Sequence, residues 1–95
     1  MTIELHTREA LENIRWTLSS TCRTINNGDY GANRIYSKKC DLIVGNSYVL
    51  SCQSANGDGW KSGFVLVENV GYCEDFLRGG ENTHNLAITG KIQID

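Results

Sequence analysis

Proline is absent from this chain of 95 residues. Ten glycines, together with many asparagine, serine and threonine residues, supply the turn-forming positions instead. Turns of this composition typically connect short strands. We expect one domain, residues 1–95, because a chain of this length cannot build a second hydrophobic core.

Long apolar runs and basic clusters are missing as well. No stretch of about 18 apolar residues exists, so no membrane span is expected. The formal net charge is −2 and Lys38-Lys39 is the only adjacent basic pair, so no nucleic-acid partner is expected. Residues 1–6 do not show a basic segment followed by an apolar stretch, so no signal peptide is visible.

The four cysteines point to disulfides. Their wide and even spacing does not match the Cys-x-x-Cys pattern of metal sites, and each follows an apolar alternating segment. This placement favours two disulfides at strand ends in an extracellular protein, against the alternative of four buried thiols in a cytosolic one. A mature form that begins with an added Met1, or an unconventional export route, reconciles secretion with the missing signal peptide.

Three pairings of these cysteines are open. We favour Cys22–Cys40 with Cys52–Cys73, because each bond then closes a loop that contains one Asn-Gly-Asp turn. The rival bond, Cys40–Cys52, would cross-link a predicted β-hairpin.

Alternation of apolar and polar residues predicts an all-β protein. The clearest case is residues 13–20, where Ile14, Trp16 and Leu18 alternate with polar side chains. Further strands are predicted at 3–6, 34–36, 40–44, 47–52, 63–70, 72–76 and 86–94, and residues 7–12 as a turn or one helical turn. Seven or eight short strands with this spacing are typical of a two-sheet antiparallel β-sandwich.

Residues 52–60 carry the densest set of groups suited to ligand binding. Two glycines in this loop permit positive φ and close approach of a ligand. Asn56 and Asp58 offer oxygens, and Trp60 offers a flat apolar face with one N–H donor. An aromatic platform beside Asp or Asn is typical of sugar sites. The alternative is that Trp60 folds back as a lid on the core.

A second loop repeats this chemistry. Asn27-Gly28-Asp29 and Asn56-Gly57-Asp58 each follow a cysteine closely, so the two loops are expected side by side at one end of the sandwich. The alternative is that Asn-Gly-Asp is common turn chemistry used twice. The predicted ligand-binding residues are Asn27, Asp29, Tyr30, Asn56, Asp58 and Trp60.

Calcium is the cofactor that the loop acids would suit, since Ca²⁺ takes about six to eight oxygen ligands. The candidate metal ligands are Asp29, Asp58 and Asp75, with solvated loop acids as the alternative.

No catalytic residues are expected: His6 and His84 are the only histidines, and neither has an identifiable third group that would activate it. His84 shares the parity of the apolar residues that follow it and is expected to face inward. The chain is therefore not expected to be an enzyme.

Several motifs occur in a characteristic order across residues 2–80. They are Ile14-x-Trp16-x-Leu18, Cys40-x-Leu42, Tyr48-x-Leu50, Gly57-Asp58-Gly59-Trp60 and Phe76-x-x-Gly79. In this order they resemble a small extracellular β-sandwich domain of secreted proteins from protists, slime moulds and bacteria. Gln53 stands where the loop of that domain has Asp, and Asn56 where it has Tyr.

Some members of this architecture are small lectins of the slime-mould hemagglutinin type. The resemblance therefore implies a secreted carbohydrate-binding module that binds glycans or glycoproteins through its strand-end loops, with help from calcium. The alternative function is a structural or adhesive protein-interaction module, in which calcium bound by the loop acids provides rigidity.

Overall fold

The computed structural model describes residues 1–19, 21–23 and 28–89, and these residues form strands and loops without an α-helix. No helix that could span a membrane occurs among them. The strands are β1 (Thr2–His6), β2 (Leu11–Leu18), β3 (Cys22–Arg23), β4 (Gly28–Tyr30), β5 (Ile35–Lys39), β6 (Ser47–Ser54), β7 (Phe64–Val67), β8 (Val70–Tyr72) and β9 (Glu81–Ala87). The predicted all-β class is confirmed.

These strands form two antiparallel sheets. Sheet A has the order β5-β1-β7-β8, and sheet B has the order β3-β2-β6-β9. Strand β4 also pairs with β2, so β3 and β4 together fill one edge of sheet B as two short segments. Each sheet is therefore four strand positions wide, and the predicted two-sheet sandwich is confirmed.

The hydrophobic core lies between the sheets, as the alternation predicts. Sheet B contributes Ile14, Trp16, Leu18 and Leu50, and sheet A contributes Ile3, Leu5, Val65 and Val67, all almost fully buried. Complete burial of such a side chain stabilises the fold by about 1.5–3 kcal/mol relative to an exposed position. The strand period thus decides which side chains form the core.

Both favoured disulfides are present, with Cα–Cα distances of 5.7 Å for Cys22–Cys40 and 6.6 Å for Cys52–Cys73. Each bond connects the two sheets. Cys22 belongs to β3 of sheet B and Cys40 directly follows β5 of sheet A, whereas Cys52 lies in β6 and Cys73 directly follows β8. Two buried disulfides are compatible with an extracellular protein.

The prediction of a hairpin at residues 40–52 is wrong for its first strand, 40–44. Strand β5 ends at Lys39, and residues 40–46 are irregular. The Ile43 N–H donates to the Tyr48 hydroxyl at 2.9 Å, and the Gly45 N–H donates to the Ile88 carbonyl at 2.7 Å. These backbone groups bond to a side chain and to the residue that follows β9. The segment is therefore held as a turn and not as a strand.

The long strand predicted at 63–70 is a hairpin instead. Strand β7 ends at Val67, β8 begins at Val70, and Glu68 and Asn69 form the turn with φ of 48° and 62°. Positive φ at both central positions is the geometry of a type I′ turn. The strand predicted near the carboxyl end begins earlier than expected, at Glu81, and positions 90–94 lie outside the described residues.

Candidate functional site

Trp60 lies in the core. Its side chain is 0% exposed, and its ring centroid lies 6.4 Å from that of Phe76. The indole Nε1 donates to the Gln53 carbonyl at 3.2 Å. A ring without solvent exposure has no face for a sugar, so the platform role predicted for Trp60 does not fit its position. The alternative, in which the ring acts as a lid on the core, describes what the structure shows.

Gly59 explains why the 55–60 loop turns inward at this point. Its φ is +67°, and a Cβ at this position would lie 2.5 Å from the Phe76 carbonyl oxygen. Gly57 has φ +74°, but a Cβ there would meet no atom within 4 Å, and the Gly57 carbonyl accepts the Gly79 N–H at 2.8 Å. The close approach at Gly59 therefore holds Trp60 against Phe76, while Asp58 between the glycines stays exposed.

Asn13 connects Asp29, from the first Asn-Gly-Asp sequence, to Asn56, from the second, so these two residues lie close together. Its backbone N–H donates to Asp29 Oδ1 at 3.0 Å, and its side-chain Nδ2 donates to Asn56 Oδ1 at 3.3 Å. Asp29 and Asn56 thus have structural hydrogen bonds. Asn27, another predicted ligand-binding residue of these loops, lies outside the described residues.

Tyr30 follows Asp29 in β4, so its side chain lies on the opposite face of that strand. There it lines a cleft of about 210 Å³ together with residues of β5. Its ring packs edge-on against Tyr36 with centroids 4.8 Å apart. Partial burial, with a smaller contribution from the Tyr36 hydroxyl, raises the pKa of Tyr30 above its ordinary value. The structure therefore does not bring Tyr30 together with Asn56 and Asp58 as one ligand site.

The three predicted calcium ligands occupy separate segments, Asp29 in strand β4 and the other two in different loops. Asp29 accepts from Asn13, Asp58 precedes the glycine that packs against Phe76, and Asp75 follows β8. Within residues 1–19, 21–23 and 28–89, no three His, Cys, Asp or Glu side chains are grouped closely enough to hold a metal ion.

A cleft of about 610 Å³ opens where β8, an edge of sheet A, faces β9, an edge of sheet B. This volume is within the range typical of small-molecule sites. The cleft lies along one open side of the sandwich, between the edge strands of the two sheets. Its main lining residues are Ser62, Tyr72, Glu74, Asp75, Leu77 and His84.

His84 forms one wall of this cleft. Its ring centroid lies 5.5 Å from that of Tyr72, with the planes tilted by 54°. Its Nε2 is buried without a hydrogen-bond partner, and so is Oδ1 of Asn82, two residues earlier on the same face of β9. Buried polar atoms are nearly always paired, and an unpaired one costs about 1–3 kcal/mol. Both atoms are closed to solvent, so a ligand in the cleft would meet other parts of the His84 ring and not these two atoms.

Acidic side chains stand at the rim of the cleft. Glu74 and Asp75 are both exposed, and Glu74 Oε2 lies 3.6 Å from Arg8 Nη2. Such an exposed ion pair contributes little stability. The Leu77 N–H donates to the Asp75 carbonyl at 2.9 Å, which fixes the turn that carries the acids. The rim thus offers carboxylate acceptors next to an aromatic ring.

The inward orientation predicted for His84 from its parity is confirmed, but its meeting with Tyr72 does not follow from the pattern. The sequence predicts that Tyr72 begins a strand at 72–76, whereas β8 ends at that residue. The sequence signal that could have revealed this cleft is an aromatic residue in one short segment, Tyr72, and a histidine in the next strand, His84, both on inward faces.

No protein-family model matches this chain, and no curated protein or solved structure shows a significant similarity to it. The functional interpretation therefore depends on the chemistry of the clefts and loops.

Proposed function

We propose that this protein is a secreted, non-enzymatic carbohydrate-binding module, and that its glycan site is the cleft between β8 and β9. The observation that carries the proposal is the cleft itself, in which the Tyr72 ring lies beside His84 and the exposed side chain of Asp75. A sugar presents an apolar face of C–H groups and a rim of hydroxyls. Tyr72 supplies an aromatic surface for the first, and His84, Ser62 and Asp75 supply hydrogen-bonding groups for the second.

The 56–60 loop fits a sugar less well than the cleft does. Its aromatic residue, Trp60, is buried, and Asn56 already accepts a hydrogen bond from Asn13. The loop therefore lacks an accessible platform, which the cleft has in Tyr72.

Binding is favoured over glycoside hydrolysis by the position of the acids. Hydrolysis commonly uses two carboxyl groups that flank the scissile bond from opposite sides. Glu74 and Asp75 are neighbours in one turn at the same rim of the cleft. This arrangement suits orientation of hydroxyl groups better than general acid–base catalysis.

Two isosteric variants test the location of the site. Asp75→Asn removes a charge at the cleft, and Asp58→Asn removes one at the 56–60 loop; both carboxylates are exposed. We expect Asp75→Asn to weaken binding of the best glycan-array ligand roughly five- to thirtyfold, as measured by calorimetry. This corresponds to the loss of charge-assisted hydrogen bonding on the order of 1–2 kcal/mol. Asp58→Asn should leave affinity unchanged, with equal melting temperatures for both.

The reverse result, with only Asp58→Asn weakening the ligand, would place the site at the loop. Absence of glycan binding by the wild-type protein across the array would contradict the proposed function. A protein partner, as in the adhesive alternative, would then be the better hypothesis.

A further inference from the structure

A second hollow of about 310 Å³ lies next to the cleft between β8 and β9. Tyr72 lines both parts, so the two are adjacent at its ring. We refer to the part that contains His84 and Asp75 as the polar half and to the second as the apolar half. The apolar half is lined chiefly by Val67, Val70, Tyr72, Leu86 and Ala87.

The chemistry changes sharply along this cleft. The polar half has carboxylates, a hydroxyl and an imidazole, whereas the apolar half has aliphatic side chains from β7, β8 and β9. Glu68, at the end of the apolar half, accepts hydrogen bonds from the Thr89 N–H at 2.8 Å and the Thr89 hydroxyl at 3.0 Å. These bonds direct both carboxylate oxygens to Thr89, so an apolar occupant would pack on the aliphatic side chains and not on this charge.

We infer that the ligand is a glycoside with an apolar aglycone, which places its sugar in the polar half and its aglycone in the apolar half. This inference rests on the proposed glycan-binding function. Val70 is 50% exposed, so an aglycone above it would remove apolar surface from water. Each methylene group buried in this way raises affinity about fourfold.

Matched pairs of methyl and hexyl β-glycosides test the inference. The sugars are glucose, galactose, mannose and N-acetylglucosamine, and calorimetry gives the affinity of each pair for the wild-type protein. We expect the hexyl form of the recognised sugar to bind at least tenfold more tightly, since burial of two of its additional methylenes already predicts roughly sixteenfold.

Substitutions in the apolar half should reduce this preference. Val70→Thr is isosteric and Leu86→Ala shortens the opposite wall; each should lower the hexyl-to-methyl affinity ratio at least threefold and leave methyl glycoside binding intact. Val49→Thr is the matched control, because Val49 is similarly exposed, at 45%, but does not line the cleft. Val70→Thr changes an exposed position, so its fold is expected to survive.

The two proposals fail in different ways. Equal affinity for methyl and hexyl forms of a bound sugar would overturn the apolar subsite and leave the glycan site in place. A hexyl preference that persists in both Val70→Thr and Leu86→Ala would also overturn it. Binding of hexan-1-ol as tight as that of the hexyl glycosides would overturn the glycan function itself, because the sugar would then contribute nothing.

Discussion

The side chain of Asn13 donates a hydrogen bond to Asn56 over a distance of 3.3 Å, although 43 positions separate the two residues in sequence. Asn13 lies where the pairing of β2 with β4 shifts register, and its φ is 53°. The irregular backbone directs its N–H to Asp29 and its amide to Asn56. One bulge in β2 therefore connects Asp29 of β4 to Asn56 of the 55–60 loop.

Two substitutions separate the backbone and side-chain roles of Asn13. Asn13→Gly keeps the positive φ without strain and loses the amide bond to Asn56, so we expect a small decrease in the free energy of unfolding. Asn13→Ala loses the same bond and keeps a Cβ in the left-handed region without the polar side chain that lets asparagine tolerate it, which costs about 1–2 kcal/mol more than the glycine variant. Urea titration measures both. Equal stability of the two variants would show that the bulge relaxes and that its φ is not fixed by the loops.

Gly59 and Gly57 form a second matched pair. Both have positive φ, but only Gly59 would place a Cβ in contact with backbone, 2.5 Å from the Phe76 oxygen. Gly57→Ala should cost about 1–2 kcal/mol from its φ alone. Gly59→Ala should cost clearly more, because the loop must also move away from Phe76 and expose Trp60 to water. Tryptophan fluorescence and chemical denaturation report both effects, and a similar cost for the two variants would contradict the close approach.

Much of this fold follows from the local sequence pattern. Period-two alternation places Ile14, Trp16 and Leu18 on the buried face of β2, as predicted. It also predicts that His84 faces inward, where the structure has it. The favoured disulfides are confirmed for a related reason, since cysteines that end inward-facing runs are brought close together when two sheets pack.

The site is harder to predict because its geometry depends on contacts distant in sequence. Trp60 looks like a surface platform in a glycine-rich loop, but Phe76 and the Gln53 carbonyl hold it in the core. Neither central residue of the turn at Glu68 and Asn69 is glycine, which usually marks such turns, so the sequence predicts β7 and β8 as one strand. Without that hairpin, the β8 edge that forms the cleft with β9 is not visible in the sequence.

Removal of the Cys52–Cys73 disulfide should destabilise the protein strongly. The bond closes a loop with a sequence separation of 21, for which chain entropy predicts about 3 kcal/mol. Both residues are buried, so Cys52→Ala/Cys73→Ala also leaves unfilled core volume. Cys22→Ala/Cys40→Ala, with a separation of 18, should lose a similar entropic contribution and less packing. Denaturation under non-reducing conditions compares them, and a smaller loss for the Cys52–Cys73 pair would contradict this ranking.

Stability at alkaline pH should depend on Tyr30. Burial raises the pKa of this phenol above its ordinary value of 10.0, so the unfolded chain loses the proton at a lower pH than the folded protein does. The resulting stabilisation is complete below the ordinary pKa and is lost as the pH rises through the folded one. Tyr30→Phe should therefore show a shallower fall in unfolding free energy between about pH 9 and about pH 11. Parallel profiles for variant and wild type would exclude this contribution.

His84 provides the sharpest separation of binding from stability. Its unpaired Nε2 costs about 1–3 kcal/mol in the protein without ligand, so His84→Leu should raise the free energy of unfolding on the order of 1 kcal/mol. The same change removes the imidazole that lines the cleft beside Tyr72 and should weaken glycan binding at least tenfold. His6→Leu is the matched control: His6 Nε2 lies 3.0 Å from a Glu4 oxygen, and its ring stacks on Phe64 at 4.7 Å, away from the cleft. That variant should lose stability and keep its affinity. A His84→Leu protein that is less stable and still binds glycan normally would show that the imidazole serves the fold and that the ligand binds elsewhere.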